Sequence, residues 1–165
     1  MLDEPRSGCP VNAAVEVLGD RWSLIVLRDI MFTNRRHFRT LLRESEEAIA
    51  SNILASRLRD LLAAGLLTRD DPGPGRRVTY SLTEPAIELV PVMAELAWWG
   101  VRHRPTYPPM RAKAELLYDG GPRMWQQFME ELREQHLGIP LPTARPSTVS
   151  EQLDAAGARA LAAIS

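Results

Sequence analysis

The apolar positions near the start of the chain follow helical spacing. Pro10 begins a segment whose apolar side chains lie three or four residues apart, and Gly19 ends it. Because proline suits the first helical position, Cys9 is predicted at the N-cap. The next segment, residues 21–31, is apolar on nearly every side and follows Asp20, a residue type that caps helices. These patterns predict an amphipathic helix and then a buried central helix.

Two more helices and a β-hairpin are predicted next. Phe38 and Leu41 mark a short third helix, and a fourth runs from Ser51 to about Ala64, before Gly65 as its C-cap. After it, segments 66–70 and 76–82 flank a loop of turn residues at 71–75. Apolar residues alternate with polar ones along the second segment, which is typical of a half-buried strand. The pattern therefore predicts a hairpin with an exposed, arginine-bearing arm.

The rest of the chain is predicted to be helical between proline-rich joints. A long helix opens at Thr83 and reaches about Arg102, with a bend at Pro91. Residues 105–109 form a joint, residues 138–147 form a linker, and further helices are predicted over 110–118, 122–137 and 149–165.

The order of these elements predicts the fold class. It is mainly α with a small β-hairpin (α+β): a winged helix-turn-helix domain with a helical C-terminal extension. We expect the domain, which would bind DNA and dimerise, to span residues 9–103. The extension would span residues 104–165, and the sequence indicates no role for it.

One face of the fourth helix suits entry into a DNA major groove. At about 100° per residue, the leucines at 54, 58, 61 and 62 share one sector, whereas Asn52, Ser56 and Arg59 lie opposite. Ala55 lies at the edge of this outward face, and Arg57 lies on its flank. Small and polar groups let a helix enter the groove, where Asn pairs with adenine and Arg with guanine. The residues predicted to contact DNA are Arg36, Ser51, Asn52, Ala55, Ser56, Arg57, Arg59, Arg76 and Arg77.

Charge is unevenly distributed along the chain. Between Arg21 and Arg43 there are six arginines, at 21, 28, 35, 36, 39 and 43, against one acid, Asp29. From Thr83 onward there are ten acids and eight bases, and the formal net charge of the chain is −1. A basic first half beside a mildly acidic second half is expected where one region meets phosphates.

The sequence resembles the HxlR-type regulators, which are relatives of the MarR group. The resemblance covers roughly residues 9 to 103. It is carried by Cys9-Pro10, residues 19–29 (Gly-Asp-Arg-Trp-Ser-Leu-Ile-Val-Leu-Arg-Asp), Arg36-His37-Phe38, residues 49–61, Gly65-Leu66-Leu67, residues 78–83 (Val-Thr-Tyr-Ser-Leu-Thr) and Trp99-Gly100.

The resemblance implies a transcriptional regulator that binds a palindromic operator as a dimer. It also implies recognition by the helix of residues 51–64, with the wing of residues 71–77 on the minor groove or the DNA backbone. Two positions depart from the family pattern. Ala86 stands where the family usually has glycine, and the extension after residue 104 is longer than usual.

Other classes of protein fit the sequence less well. The three histidines, His37, His103 and His136, are scattered and lack metal-ligand spacing, and the sequence has no Gly-x-Ser-x-Gly elbow or phosphate-binding glycine loop. We therefore expect a protein that is not an enzyme and uses no cofactor or metal. The alternative is a winged helix used only for protein–protein assembly, which would need no basic stripe.

The composition of the chain indicates the cellular compartment in which we expect the protein. The chain is 45% hydrophobic and 25% charged, as in soluble globular proteins, and its apolar runs are too short to span a bilayer. A single cysteine suits a reducing compartment. We expect a cytoplasmic protein without membrane contact.

The aromatic residues of the second half indicate a surface for assembly or regulation. Met93, Trp98, Trp99 and Trp125 are predicted to form a dimer interface or, alternatively, a pocket for a small-molecule effector. If these residues form a dimer interface, we expect the first helix and the helix of residues 84–103 to pair with those of a second subunit across a two-fold axis. Phe128 is expected to be exposed on the same patch unless the protein dimerises.

Cys9 is a candidate redox or electrophile sensor. A cysteine at a helix N-terminus has its thiolate stabilised by unpaired N–H groups and by the helix dipole. Some HxlR-type proteins are similar at this Cys-Pro site and respond to oxidants. The alternative is an inert cysteine buried against a partner subunit.

Overall fold

The computed structural model describes residues 6–142 and 145–164 of the 165-residue chain. Over these residues the chain forms two compact units, one ending at Ala86 and the other beginning at Ile87. The helices and strands are α1 (Pro10–Leu18), α2 (Ser23–Thr33), α3 (Phe38–Arg43), α4 (Ser51–Ala63), β1 (Leu67–Asp70), β2 (Thr79–Leu82), α5 (Glu84–Ile87), α6 (Val90–His103), α7 (Pro108–Leu137) and α8 (Val149–Ala162). The mainly helical fold with one hairpin is confirmed.

The core of the first unit forms around α2, as its apolar sequence predicts. Leu27 and Ile30 of α2 are fully buried, and so is Leu54 of α4, which packs against α2. The helix begins at Ser23, two residues later than predicted. Asp20 nevertheless accepts hydrogen bonds from the N–H groups of Trp22 and Ser23, at 2.7 and 3.0 Å. The carboxylate thus satisfies amides that the start of a helix leaves without partners.

The hairpin is confirmed, with shorter strands than predicted. β1 and β2 are antiparallel, with Leu67 opposite Leu82 and Asp70 opposite Thr79. The loop turns through Gly73 and Gly75, whose φ angles of 95° and 79° are readily adopted only by glycine. Two four-residue strands therefore carry a long, exposed wing.

The continuous helix predicted from residue 83 to 102 is wrong. The structure has a one-turn helix, α5, and then a separate helix, α6, that begins at Val90. Pro91 lies in the first turn of α6, where the missing N–H group has no intrahelical acceptor to lose. The proline therefore starts a helix instead of bending one.

The second unit contains α6, α7 and α8. The two helices predicted over 110–118 and 122–137 are confirmed, and they abut within α7 at Gly121, where φ is 58° and ψ is −158°. Only glycine adopts such a backbone conformation at low cost. The predicted exposure of Phe128 is wrong, because α8 packs against α7 and Phe128 is fully buried.

The C-terminal helix is confirmed from Val149 onward, and its start is strongly capped. The Thr148 hydroxyl accepts from the N–H of Glu151 at 3.1 Å, and the Glu151 carboxylate accepts from the N–H of Thr148 at 2.8 Å. Residues 143 and 144 of the predicted linker and Ser165 of the predicted helix lie outside the described residues. Among the helices of the described ranges, none is both long and apolar enough to cross a membrane.

Candidate nucleic-acid interface

Helix α4 presents a small, polar face. Ser51, Asn52 and Arg59 are exposed, and Ala55 and Ser56 are half-buried beside them. The leucines at 54, 58 and 61 are buried on the other side. The predicted division of this helix into a core face and an outward face is confirmed. That these outward residues contact DNA stays a prediction.

Arg57 makes ion pairs within the first unit. Its guanidinium lies 3.2 Å from the Asp20 carboxylate and 2.6 Å from that of Asp60. Burial alone would raise the pKa of Asp20, but hydrogen bonds from Ser23, from the Trp22 N–H and from Arg57 lower it below its ordinary value. The charge of Arg57 is therefore used to join the start of α2 to α4.

A second basic surface lies between α3 and the wing. Arg76 and Arg77 of the wing are exposed and line an open groove of about 670 Å³. The opposite side is formed by α3, with Arg39 and Arg43 exposed along it. We call this groove, lined by residues 37–40, 43–44 and 75–78, the arginine groove. Arg39 and Arg43 belong to the arginine run of the sequence, but they are not among the residues predicted to contact DNA.

Two other arginines of the run, Arg28 and Arg35, are held in an ion-pair network. Arg28 contacts Glu47 at 2.6 Å and the buried Asp29 at 2.7 Å. Arg35 contacts Glu44 at 3.1 Å and lies 3.6 Å from Asp29. The structure therefore divides one sequence cluster into residues that face solvent and residues that hold α2 to the segment before α4.

Arg36, whose predicted contact with DNA stays a prediction, makes hydrogen bonds to the wing. Its Nε donates to the carbonyl oxygen of Tyr80 at 3.1 Å, and its Nη2 donates to the hydroxyl of Ser81. Burial lowers the pKa of the Arg36 guanidinium from its ordinary value. The neighbouring His37 makes a hydrogen bond of 2.9 Å between Nδ1 and the carbonyl oxygen of Val78.

An aromatic groove of about 720 Å³ lies along α6 in the second unit. Trp98 stacks on Tyr118 with ring centroids 4.6 Å apart, and Trp99 lies 5.0 Å from the His103 ring. All four of these residues line the groove. The other two residues predicted for this site lie elsewhere. Met93 is buried, and Trp125 donates from Nε1 to the carbonyl oxygen of Leu117 at 2.8 Å, which bridges the interruption in α7.

Two helices expose large apolar side chains. On α1, Val11 is 68% exposed and Val15 is 55% exposed. On α6, Leu96 is 47% exposed and Trp99 is 57% exposed, and Val92 lies on the same surface. A folded protein gains by covering such side chains.

Cys9 occupies its predicted place at the N-cap of α1, with Pro10 in the first turn. Its thiol is exposed within the single chain, and burial of Cys9 against a partner subunit stays the alternative to a sensor role. The carbonyl of Cys9 accepts from the N–H of Ala13 at 3.1 Å, as expected for a residue that starts a helix.

Fold and site together define a winged helix-turn-helix transcriptional regulator. The model of the family described as HxlR-like helix-turn-helix matches residues 17–107, more than half of the chain. The chain belongs to this family of DNA-binding regulators.

The chain is also similar to proteins named as HTH-type transcriptional regulators. An uncharacterised HTH-type transcriptional regulator of Mycobacterium tuberculosis is 37% identical over 112 residues, which cover 64% of this chain and 67% of the relative. An uncharacterised HTH-type regulator of Halalkalibacterium halodurans is 30% identical over 96 residues, covering 58% of this chain and 84% of the relative.

Solved structures also share the fold. The crystal structure of PA1607 matches with a TM-score of 0.55 and 31% identity, covering 61% of this chain and 69% of that one. The oxidised form of the redox regulator HypR matches with a TM-score of 0.51 and 28% identity, covering 59% of this chain and all of HypR (100%).

Proposed function

We propose that this regulator binds a palindromic DNA operator as a homodimer. In each subunit α4 would enter the major groove, and the arginine groove would hold the adjacent phosphate backbone. The observation that carries the proposal is the placement of four exposed arginines on two facing walls, in the same unit as the polar face of α4. Together they offer base contacts and backbone contacts on one surface.

The division of labour follows from side-chain chemistry. Asn52 and Arg59 are exposed on α4 and carry groups that pair with base edges. The arginines at 39, 43, 76 and 77 would neutralise phosphates, which contributes affinity for any sequence. Arg57 is committed to two aspartates and would act by holding α4 in place.

A dimer is supported by the exposed apolar faces of α1 and α6. Val11 and Val15 on one helix, and Leu96 and Trp99 on the other, would be covered if these helices form the contact between two copies. A two-fold axis would place two α4 helices about one DNA turn apart, matching a palindrome. A small-molecule effector in the aromatic groove is the competing use of the same α6 surface.

The test uses purified protein and sheared genomic DNA at low salt. We expect retained fragments to share a palindrome whose half-sites are about 10 base pairs apart, centre to centre. Light scattering should give twice the mass of one chain. If the protein retains no fragment at low salt, the regulator proposal fails. A monomer that binds DNA tightly would contradict only the dimer.

Exposure of Cys9 favours a second proposal, control of DNA binding by oxidation. The sequence holds one cysteine, so an intramolecular disulfide is excluded. An oxidant such as peroxide would take two electrons and two protons from the Cys9 thiols of two subunits, or from Cys9 and a small thiol, to form one disulfide. HypR, a structural neighbour, is described as a redox regulator. If this proposal is correct, peroxide should change DNA binding by the parent, whereas Cys9→Ser should keep its DNA binding. An equal response of the two proteins to peroxide would contradict the proposal.

A further inference from the structure

The wing is attached to the segment before α3 by main-chain and side-chain hydrogen bonds. The N–H of Tyr80 donates to the carbonyl oxygen of Arg36 at 2.8 Å, in the manner of a neighbouring strand. The Arg36 side chain then donates to the Tyr80 carbonyl at 3.1 Å and to the Ser81 hydroxyl. His37 adds a bond of 2.9 Å to the carbonyl of Val78. Two consecutive residues, Arg36 and His37, thereby hold three positions on the wing's returning side, Val78, Tyr80 and Ser81.

These attachments adjoin the arginine groove, whose lining includes His37 and Val78. Arg36 and His37 directly precede α3, which carries Arg39 on its first turn. Val78 directly follows Arg77 of the wing. A rigid link at this point therefore fixes the arginines of one wall relative to those of the other.

The wing loop has limited internal support apart from this link. Its strands are four residues long, and a hairpin of that size is marginal in isolation. Within the loop, the N–H of Arg76 donates to the carbonyl of Gly73 at 3.2 Å, and that of Gly73 donates to Asp71 at 3.3 Å. These turns shape the tip of the loop, but they do not fix the orientation of the loop relative to α3. That orientation depends on the bonds to Arg36 and His37.

We propose that Arg36 is a positioning residue, which sets the wing arginines for phosphate contact instead of contacting DNA itself. The inference rests on the proposed DNA-binding function. Arg36 is half-buried, and two of its guanidine nitrogens already donate to Tyr80 and Ser81. Preorganised phosphate-binding groups lose less conformational entropy on binding, so the link raises affinity without adding a contact.

A double-mutant cycle distinguishes positioning from contact. Arg36→Gln is compared with the parent, and again in a background carrying Arg76→Ala and Arg77→Ala, by fluorescence anisotropy on one selected duplex at fixed salt. We expect Arg36→Gln to weaken binding about tenfold in the parent and to have little effect once the wing arginines are gone. Arg111→Gln is the matched control, since Arg111 is an exposed arginine of α7 paired with Glu115.

An equal loss in both backgrounds would show that Arg36 contacts DNA directly, and no loss in either would show that the link does not matter. Both results overturn the proposal. If Arg36→Gln fails to fold by circular dichroism, Ser81→Ala replaces it in the same cycle, because it removes one acceptor and leaves the apolar core intact. Failure of the parent to bind any duplex would instead overturn the proposed function.

Discussion

Arg28 and Glu47 form a two-pronged ion pair, with Nη1 and Nη2 of the arginine 2.6 and 2.9 Å from the two carboxylate oxygens. The pair joins α2, the central helix, to the segment that leads into α4. Arg28 also contacts the buried Asp29, so the arginine holds two carboxylates at once.

The pair predicts a pH dependence of stability. The hydrogen bonds from Arg28 lower the pKa of Glu47 below its ordinary 4.5. A lowered carboxyl pKa stabilises the folded state above the unfolded pKa, and this stabilisation is lost as pH falls through the folded pKa. Glu47→Gln should therefore lower the free energy of unfolding by up to about 1 kcal/mol at pH 7, since the pair is partly exposed.

Urea denaturation of both proteins at pH 7 and near pH 3 measures this effect. The difference between parent and variant should shrink at the lower pH, because Glu47 gains a proton as the pH falls toward its lowered folded-state pKa. Glu46→Gln serves as the control, because Glu46 is an exposed neighbour. A difference that stays constant with pH would mean that Glu47 acts by packing instead of charge.

Gly121 predicts an unequal effect of two glycine substitutions. Its φ of 58° and ψ of −158° fall in a region that side chains avoid, whereas Gly138, at φ 69° and ψ 21°, has the ordinary left-handed conformation of a helix C-cap. Gly138→Ala should cost about 1 kcal/mol, and Gly121→Ala about 2–3 kcal/mol. Thermal unfolding of both variants gives the comparison. Equal costs would mean that the α7 interruption tolerates a side chain by rearranging.

Base recognition predicts a change in sequence preference. Replacing Asn52 or Arg59 by alanine should cost about 1–3 kcal/mol on the preferred duplex and much less on a mismatched one. Competition binding with a library of half-site variants measures both. Arg57→Ala is the informative contrast, because its pairing with Asp20 and Asp60 predicts a loss of stability alongside any loss of binding. Uniform weakening by Asn52→Ala on all sequences would remove that residue from base readout.

The exposed apolar face of α6 predicts the site of dimerisation. Leu96→Glu should shift the protein toward a monomer in light scattering at micromolar concentration, because a buried charge without a partner is unfavourable. Leu161→Glu, at an exposed position on α8, is the control for surface charge. If Leu96→Glu leaves the dimer intact, this surface of α6 is not the dimer contact. The aromatic groove would then be available for a ligand.

Local patterns predicted the elements of the first unit well, because the spacing of leucines decides which face of α4 is buried and the nearly continuous apolar sequence of α2 makes it the central helix. They failed where a distant partner decides the outcome. Phe128 lies on an apolar stripe of α7, but the stripe does not reveal that α8 packs against it. The arginine run likewise could not be divided from sequence, since Arg28 and Arg35 find Glu47 and Glu44 only after the chain folds.

Pro91 shows a different limit. A proline within an apolar helical pattern is compatible with a bend or with a new helix, and the periodicity on both sides is the same. Only the short gap between α5 and α6 distinguishes the two.

The salt dependence of DNA binding tests most directly whether the arginine groove binds phosphates. The logarithm of the binding constant should fall linearly with the logarithm of salt concentration, and each lost phosphate contact should flatten the slope by about 0.9. The double variants Arg39→Ala with Arg43→Ala, and Arg76→Ala with Arg77→Ala, should each flatten the slope by about 2 per subunit. Arg111→Ala with Arg123→Ala should leave it unchanged. Parent-like slopes for both groove variants would contradict the arginine groove as the phosphate-binding surface.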